Sequence, residues 1–381
     1  MKKVLFVTTI SGFLPQFEKN DAKILKEMGF EIHYASNFTN PIYTFDREEL
    51  LTQGIITHQI DIEKSPTKFV KNQRTIKQIK TIIDENNIDM VHCHNPMGGV
   101  TARMAAAISK KKPYVIYTAH GFHFYKGAPL LNWMLFYLAE RILAHLTDQI
   151  ITINREDYLR AERFHLKKGG KVSQIHGVGV DKNRFAPKKQ IDQEKRKELG
   201  IPQDAFHIVT AAELNHNKNQ KVIIEAVAKL KNPKIHYSIC GKGTNEAVLR
   251  ALIREHHLEQ QVHLLGYRMD MPEVLQTADC FAFPSYREGL GIAAIEALLC
   301  EVPLIAADNR GTREYAKEGK NALICHAGDT EAFAEAIRKL YTDTMLRIEF
   351  SSVCRKSAQP FTIEEVEKTM KSIYKEAESH L

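Results

Sequence analysis

The stretch Phe283-Pro284-Ser285-Tyr286-Arg287-Glu288-Gly289-Leu290-Gly291-Ile292-Ala293-Ala294-Ile295-Glu296-Ala297-Leu298 decides how the chain is read. The apolar run that ends at Phe283 is a buried strand, Pro284 breaks it, a glycine-bearing loop follows, and an apolar helix starts near Ile292. Glycines let backbone N–H groups approach a ligand closely, and a helix N-terminus adds unpaired donors and a positive dipole. That arrangement suits a diphosphate. Glu288 precedes the helix and Glu296 lies about four residues, or ~6 Å, into it. A carboxylate accepts two hydrogen bonds side by side, as the vicinal hydroxyls of a sugar or ribose require. A diphosphate flanked by two polyols, which is a nucleotide-sugar, satisfies the whole loop.

Outward from this loop the chain repeats the same strand–loop–helix pattern. Apolar, β-branched runs at 4–9, 31–35, 90–94, 114–118, 149–153 and 172–175 alternate with helical periodicity, for example over 69–86. After a charged stretch from Lys188 to Gly200, which reads as a linker, the pattern restarts with strands at 207–212, 235–240, 262–265, 280–283 and 304–307. Strands of this kind between helices form parallel sheets covered on both faces. The expected fold is α/β: two doubly wound Rossmann-like domains facing across a cleft, 1–187 and 188–360. A charged amphipathic helix over 361–381 returns to the first domain. Ligands in such sheets bind beyond the carboxyl ends of the strands.

The 381 residues carry 53 Lys and Arg against 46 Asp and Glu, a formal net charge of +7. Residues 1–190 hold 28 of the cations and 18 of the anions, and residues 191–381 hold 25 and 28, so the first half is basic. Six cysteines without a C-x-x-C pair read as a reducing compartment without structural zinc. The apolar run after Met1-Lys2-Lys3 is too short for a signal-peptide core, and no apolar stretch is long enough to span a bilayer. The expected location is cytoplasmic, or on a membrane from that side. Within Tyr125–Leu146, the residues Leu130, Leu131, Trp133, Met134, Leu135, Phe136, Tyr137 and Leu138 form an apolar surge between lysine groups. That pattern fits an anionic membrane surface and equally a core helix with a half-exposed aromatic. No nucleic-acid-binding module is visible, and nucleic acid is not an expected partner.

Glu288 and Glu296 stand at the spacing of the E-x7-E motif, and the chain resembles the retaining GT-B glycosyltransferases of family 4. The resemblance covers nearly the whole chain through Ser11-Gly12-Phe13, Thr118-Ala119-His120-Gly121, His176 to Asp181, Cys240-Gly241-Lys242-Gly243, Gly266-Tyr267-Arg268 and Gly311-Thr312-Arg313-Glu314. Within the family, Glu213 to Asn219 and His120 to Phe124 look like bacterial capsular and exopolysaccharide enzymes. The resemblance implies that Glu288 holds hydroxyls of the donor sugar, Glu296 the ribose, and Gly289, Leu290 and Gly291 the sugar and diphosphate. It makes Lys218 the diphosphate-binding lysine, brings Gly12 to the phosphates, sets His120 against the donor sugar, and puts Gly241, Tyr267 and Arg268 around the nucleotide. Glu288, Lys218 and His120 are thus the expected catalytic residues. One position departs from the family: Glu213 stands where an arginine is usual, and Arg268 or Arg313 are candidates to replace that cation.

The resemblance further implies a UDP-linked donor, UDP-GlcNAc or UDP-GalNAc ahead of galactose or glucose, a lipid-linked saccharide acceptor, and retention of configuration. Phe13, His94, Asn95 and His123 are the expected acceptor-side residues. The pair His92-Cys93-His94 puts two imidazoles on one face of a strand, but no third ligand follows at zinc spacing, so neither metal nor cofactor is expected. Gly241-Lys242-Gly243 is only part of a dinucleotide fingerprint, which makes a dehydrogenase a poor competitor. Two other readings stay open: a UDP-sugar 2-epimerase of the same architecture, and a non-catalytic nucleotide-sugar-binding scaffold in a polysaccharide assembly complex.

Overall fold

The structure, a computed structural model, describes residues 1–39, 45–188 and 192–381. The chain divides into two compact units, Met1–Gly179 with Ile363–Leu381, and Val180–Thr362. Each is built on one all-parallel sheet.

The first unit contains seven strands: β1 (Lys3–Val7), β2 (Glu31–Ser36), β3 (Ile56–Gln59), β4 (Met90–His94), β5 (Tyr114–Ala119), β6 (Gln149–Thr152) and β7 (Lys171–Gln174), in the order β3-β2-β1-β4-β5-β6-β7. The central strands are buried along nearly their whole length because helices cover both faces, which is why their sequences read as unbroken apolar runs. The helix Phe69–Asn86 buries Ile79 and Ile83 against this core and ends at Asn87, whose left-handed φ of 53° stops it. The C-terminal helix Ile363–Glu378 belongs to this unit, burying Val366, Met370, Ile373, Tyr374 and Ala377.

The second unit contains β8 (Phe206–Ala211), β9 (Ile235–Cys240), β10 (Val262–Gly266), β11 (Cys280–Phe283), β12 (Leu304–Ala307) and β13 (Ala322–Cys325), in the order β10-β9-β8-β11-β12-β13. Its core gathers Ile208, Ile223, Ile239, Ile305 and Phe333, each of them fully buried. Burial on that scale is worth about 1.5–3 kcal/mol per large apolar side chain.

Three sequence expectations need correction. The edge strands β3 and β13 are absent from the sequence reading. The first is only four residues long and partly exposed, so it lacks the apolar run that marks a buried strand. The stretch 188–200 is not simply a linker. Residues 189–191 lie outside the described residues, but Gln193–Glu198 is a helix capped by Asp192. Its Arg196 is 2% exposed and donates to the carbonyls of Gln203, Ala205 and Thr277 while pairing with Asp279 at 2.8 Å. Third, residues 180–187 pack with the second unit. There the Arg355 guanidinium donates to the carbonyls of Lys182, Phe185 and Leu299.

This division also changes the charge argument. Counted over the described residues of the compact units, the net charges are +5 and +1, because the acidic C-terminal helix joins the first unit and Lys182, Arg184 and Lys188 join the second. The basic half of the sequence is therefore not a strongly basic domain.

Candidate active site

In the second unit β8 lies between β9 and β11, so the sheet order reverses there, and the loops leaving β8 and β11 open side by side. The β8 loop ends in a short turn, His216–Lys218, in which the Asn215 side chain accepts from the Lys218 N–H at 3.1 Å. Asn217 Nδ2 donates to the Arg287 carbonyl (2.9 Å), while Asn219 Nδ2 donates to the carbonyls of Ala327 (2.7 Å) and Pro284 (3.3 Å). The repeated asparagines thus stitch the two loops together, and Lys218 between them is held with its Nζ 2.6 Å from Glu288 Oε1. Both partners of this ion pair are largely screened from solvent, with side-chain exposures of 22% and 10%.

The β11 loop is tied down from behind. Asn309 Nδ2 donates to the Ser285 carbonyl at 3.0 Å, and the buried Arg310 donates through Nε to the Glu288 carbonyl at 3.2 Å. Gly291, at φ +96°, leads into the helix Ile292–Leu299. A Cβ there would lie 2.6 Å from the Phe283 ring, so position 291 takes glycine for packing as well as for backbone. Gly289 is half-buried and the Leu290 side chain is buried. Glu296, on the helix, is mostly buried, and that burial pushes its carboxyl up to about 7 against the opposing pull of Arg184.

The other expected donor residues sit differently. Glu213 is exposed, its carbonyl accepting from Gln220 Nε2. Gly241 has a reason of its own to be glycine: its φ is +148°, and a Cβ would come within 1.9 Å of the Ala212 carbonyl oxygen. Tyr267 is 65% exposed at the end of β10. Arg268 is engaged by Asp270 (Nε–Oδ1 2.8 Å) and Glu198, and Arg313 by Asp308 (2.7 Å). Neither is a spare cation. The buried cation against the Glu288 loop is Arg310, which the sequence reading passed over although it stands only three residues after β12.

In the first unit β1 lies between β2 and β4, and the switch point again collects the residues of interest. Gly12 and Phe13 are buried in the loop after β1, His94 ends β4 with Asn95 directly after it, and His120 follows β5. Asn95 adopts φ 63° and accepts from the Thr9 N–H through Oδ1 (3.2 Å). Phe13 meets the His120 ring edge-on, with ring centres 5.0 Å apart. Asn95, His120 and His123 line one cavity of about 220 Å³ with Phe136 and Glu140. His94 is fully buried and does not face that space as an open side chain would.

Behind His120 lies a group the sequence reading missed. His94 Nδ1 is 3.2 Å from His120 Nε2, and Glu18 Oε1 lies 3.3 Å from the latter and 3.5 Å from the former. Glu18 adjoins Asp21, whose carboxylate accepts from Tyr374 of the C-terminal helix at 2.8 Å; the same hydroxyl is 2.9 Å from His92 Nδ1. Burial holds all three histidines low, His120 to about 4 and His92 to about 3. Burial also raises the two acids, Asp21 to about 6 and Glu18 well above the carboxylate range. Among the described residues, Glu18, His94 and His120 are the group whose ligand atoms lie close enough to share a metal. His92, the other imidazole of the strand pair read from the sequence, is not part of this group; His94 is joined instead by His120 and by Glu18, 76 residues upstream of it.

Residues 191–359 match the family Glycosyl transferases group 1, and residues 3–154 match Glycosyl transferase 4-like. The chain belongs to the group 1 glycosyl transferases. The Bacillus subtilis (strain 168) protein named "Putative glycosyltransferase EpsD" is 39% identical over 377 residues, covering 98% of this chain and 96% of its own. The Escherichia coli UDP-Gal:alpha-D-GlcNAc-diphosphoundecaprenol alpha-1,3-galactosyltransferase is 25% identical over 311 residues, 80% of each chain. Among solved structures, Anabaena Alr3699/HepE in complex with UDP superposes with a TM-score of 0.78 at 20% identity over the whole of both chains. The two Rossmann-like units of this group 1 glycosyl transferase are those of the GT-B fold.

Proposed function

We propose that the enzyme moves an N-acetylhexosamine or hexose from a UDP-sugar to a hydroxyl of a lipid-linked glycan, with retention of configuration, in the synthesis of a cell-surface polysaccharide. The observation that carries this reading is the Lys218–Glu288 pair at the switch point, beside a glycine loop that opens onto a helix N-terminus. A diphosphate arriving there offers Lys218 a better-matched anion than Glu288, and the exchange frees Glu288 for the hydroxyls of the sugar. Lys218 and the loop amides then stabilise charge on the departing UDP, and that leaving phosphate takes the acceptor's proton on the face from which it leaves. No side-chain base and no metal is required. Glu296 receives the ribose hydroxyls, and His120 lies against the donor sugar. The buried Arg310, a fixed cation behind the loop, offsets the missing family arginine at Glu213. The undecaprenyl-linked substrate in the E. coli relative's name supports a lipid-linked acceptor, and UDP in that name and in the HepE complex supports the base.

The helical segment Leu130–Ala144 supports contact with an anionic membrane. Trp133, Phe136 and Tyr137 face the core, whereas Leu130, Leu131, Met134, Leu135, Leu138 and Ile142 are 54–82% exposed along one stripe. Arg141 and His145 flank an open apolar groove at its end. No helix among the described residues is long and apolar enough to cross a membrane, so such contact is with the surface.

UDP release measured with and without extracted lipid-linked acceptor tests the proposal. A transferase releases UDP only when the acceptor is present. Consumption of the sugar nucleotide without acceptor identifies a 2-epimerase, and binding without turnover in either case identifies a scaffold.

A further inference from the structure

His120 is the one histidine of its group that is partly exposed, and its chemistry toward a ligand depends on which ring nitrogen carries the proton. The structure constrains that choice through His94. His94 is completely buried, and its Nε2 has no hydrogen-bond partner. A buried N–H without an acceptor is a worse defect than a bare ring nitrogen without a donor. His94 therefore carries its proton on Nδ1, the atom 3.2 Å from His120 Nε2 and 3.5 Å from Glu18 Oε1. The His94 Nδ1–His120 Nε2 contact, the shortest of the triangle, takes that proton, and Glu18, which burial raises well above the carboxylate range, faces His120 Nε2 at 3.3 Å as a protonated acid rather than as a second lone pair. His120 Nε2 then accepts, and the neutral ring holds its own proton on Nδ1.

We propose that His94, with Glu18, is a positioning residue that fixes His120 as the Nδ1–H tautomer, so that His120 meets its substrate as a hydrogen-bond donor. A donor suits an oxygen of the sugar or diphosphate, whereas the opposite tautomer would offer that oxygen a lone pair. The low pKa values that burial imposes on both rings agree with neutral imidazoles. A metal shared by Glu18, His94 and His120 is the competing use of the same atoms. It would put the His94 proton on the partnerless Nε2, whereas metal-bound histidines ordinarily donate their second N–H to an acceptor. The role given to His120 rests on the proposed function; the tautomer itself does not.

The test is a long-range ¹H–¹⁵N NMR spectrum of the full chain labelled at its 17 histidines, with His120 assigned by His120→Gln. The expected result is a protonated Nδ1 and a bare Nε2 on His120; the reverse pattern overturns the proposal. His94→Phe fills the site without a donor and should release His120 to the Nε2–H form. It should lower kcat by about tenfold to a hundredfold with a smaller change in KM. His94→Asn, whose amide N–H stands near the lost Nδ1, should restore part of both readouts. Full activity and an unchanged His120 spectrum in His94→Phe would overturn the positioning role. One tightly bound equivalent of zinc on the purified chain would overturn it too. Absence of acceptor-dependent UDP release in the wild type would sink the proposed function alone, because the tautomer is read without substrate.

Discussion

The two switch points of this enzyme are built by opposite means. In the second unit the key side chains sit within short stretches of sequence, and the backbone holds them. Asparagines cap and stitch the loops, Gly291 takes a conformation few residues tolerate, and Lys218 meets Glu288 at 2.6 Å. In the first unit the side chains come from positions 18, 21, 94, 120 and 374, and only tertiary packing brings them together. The first construction holds a largely screened ion pair at the mouth of a loop, ready to exchange partners with a ligand. The second buries acids among neutral imidazoles, where proton positions are set long before a ligand arrives.

Removing the exchanging pair should have the largest effect. Glu288→Ala and Lys218→Ala are each expected to lower kcat/KM by about a hundredfold or more while circular dichroism stays that of the wild type. Near-full activity in both would mean that the loop site is not where chemistry occurs. Gly291→Ala attacks the backbone itself. Left-handed φ and a Cβ 2.6 Å from the Phe283 ring should together cost about 2–4 kcal/mol in urea unfolding. A neutral outcome would show that the loop is less constrained than its geometry implies.

Glu296 adds a pH signature to the donor side. Its carboxyl is raised from 4.5 to about 7, so the folded chain binds this proton more tightly than the unfolded chain. The stability it contributes is fully present below about pH 4.5 and is lost as the pH rises to about 7. The loss amounts to about 3 kcal/mol at most. Glu296→Gln should flatten stability over that window and weaken UDP binding at the same time, a trade expected of a group buried for a ligand. An unchanged pH profile would remove the buried acid from the account.

On the other side of the comparison, Tyr374→Phe deletes the hydroxyl between Asp21 and His92 and should cost about 1–3 kcal/mol. The smallest effect is expected on the exposed stripe. Leu130→Ser with Met134→Ser should change stability by no more than about 0.5 kcal/mol each while reducing co-sedimentation with anionic vesicles. If vesicle binding is unaffected, the stripe has another role.

The same contrast explains what was legible in the sequence. Fully buried parallel strands and the loop from Phe283 to Gly291 announce themselves because their constraints are local: apolar runs, a proline, glycines and a helix start. The helix Gln193–Glu198 escaped because it is charged on its surface while its one buried arginine docks on distant carbonyls, whereas β13 is as short and apolar as β11 and β12, which were read, so its length does not explain the omission. Arg310 was invisible as a cation of the Glu288 loop because its contact spans 22 residues. Glu18 and Tyr374 were invisible for the same reason, more strongly: nothing near either residue in sequence signals a buried partner. The apparent basic half failed because the chain's last helix belongs to the first unit and Lys182, Arg184 and Lys188 belong to the second, so a linear charge count assigns both to the wrong one.

The central claim is that the Lys218–Glu288 loop receives a UDP-sugar, and a thermal-shift panel on the full chain tests it most directly. UDP-GlcNAc or UDP-GalNAc should raise the melting temperature of the wild type more than GDP-, ADP- or CMP-sugars do, and the shift should vanish in Lys218→Ala. No shift with any nucleotide-sugar, or an undiminished shift in Lys218→Ala, would contradict it.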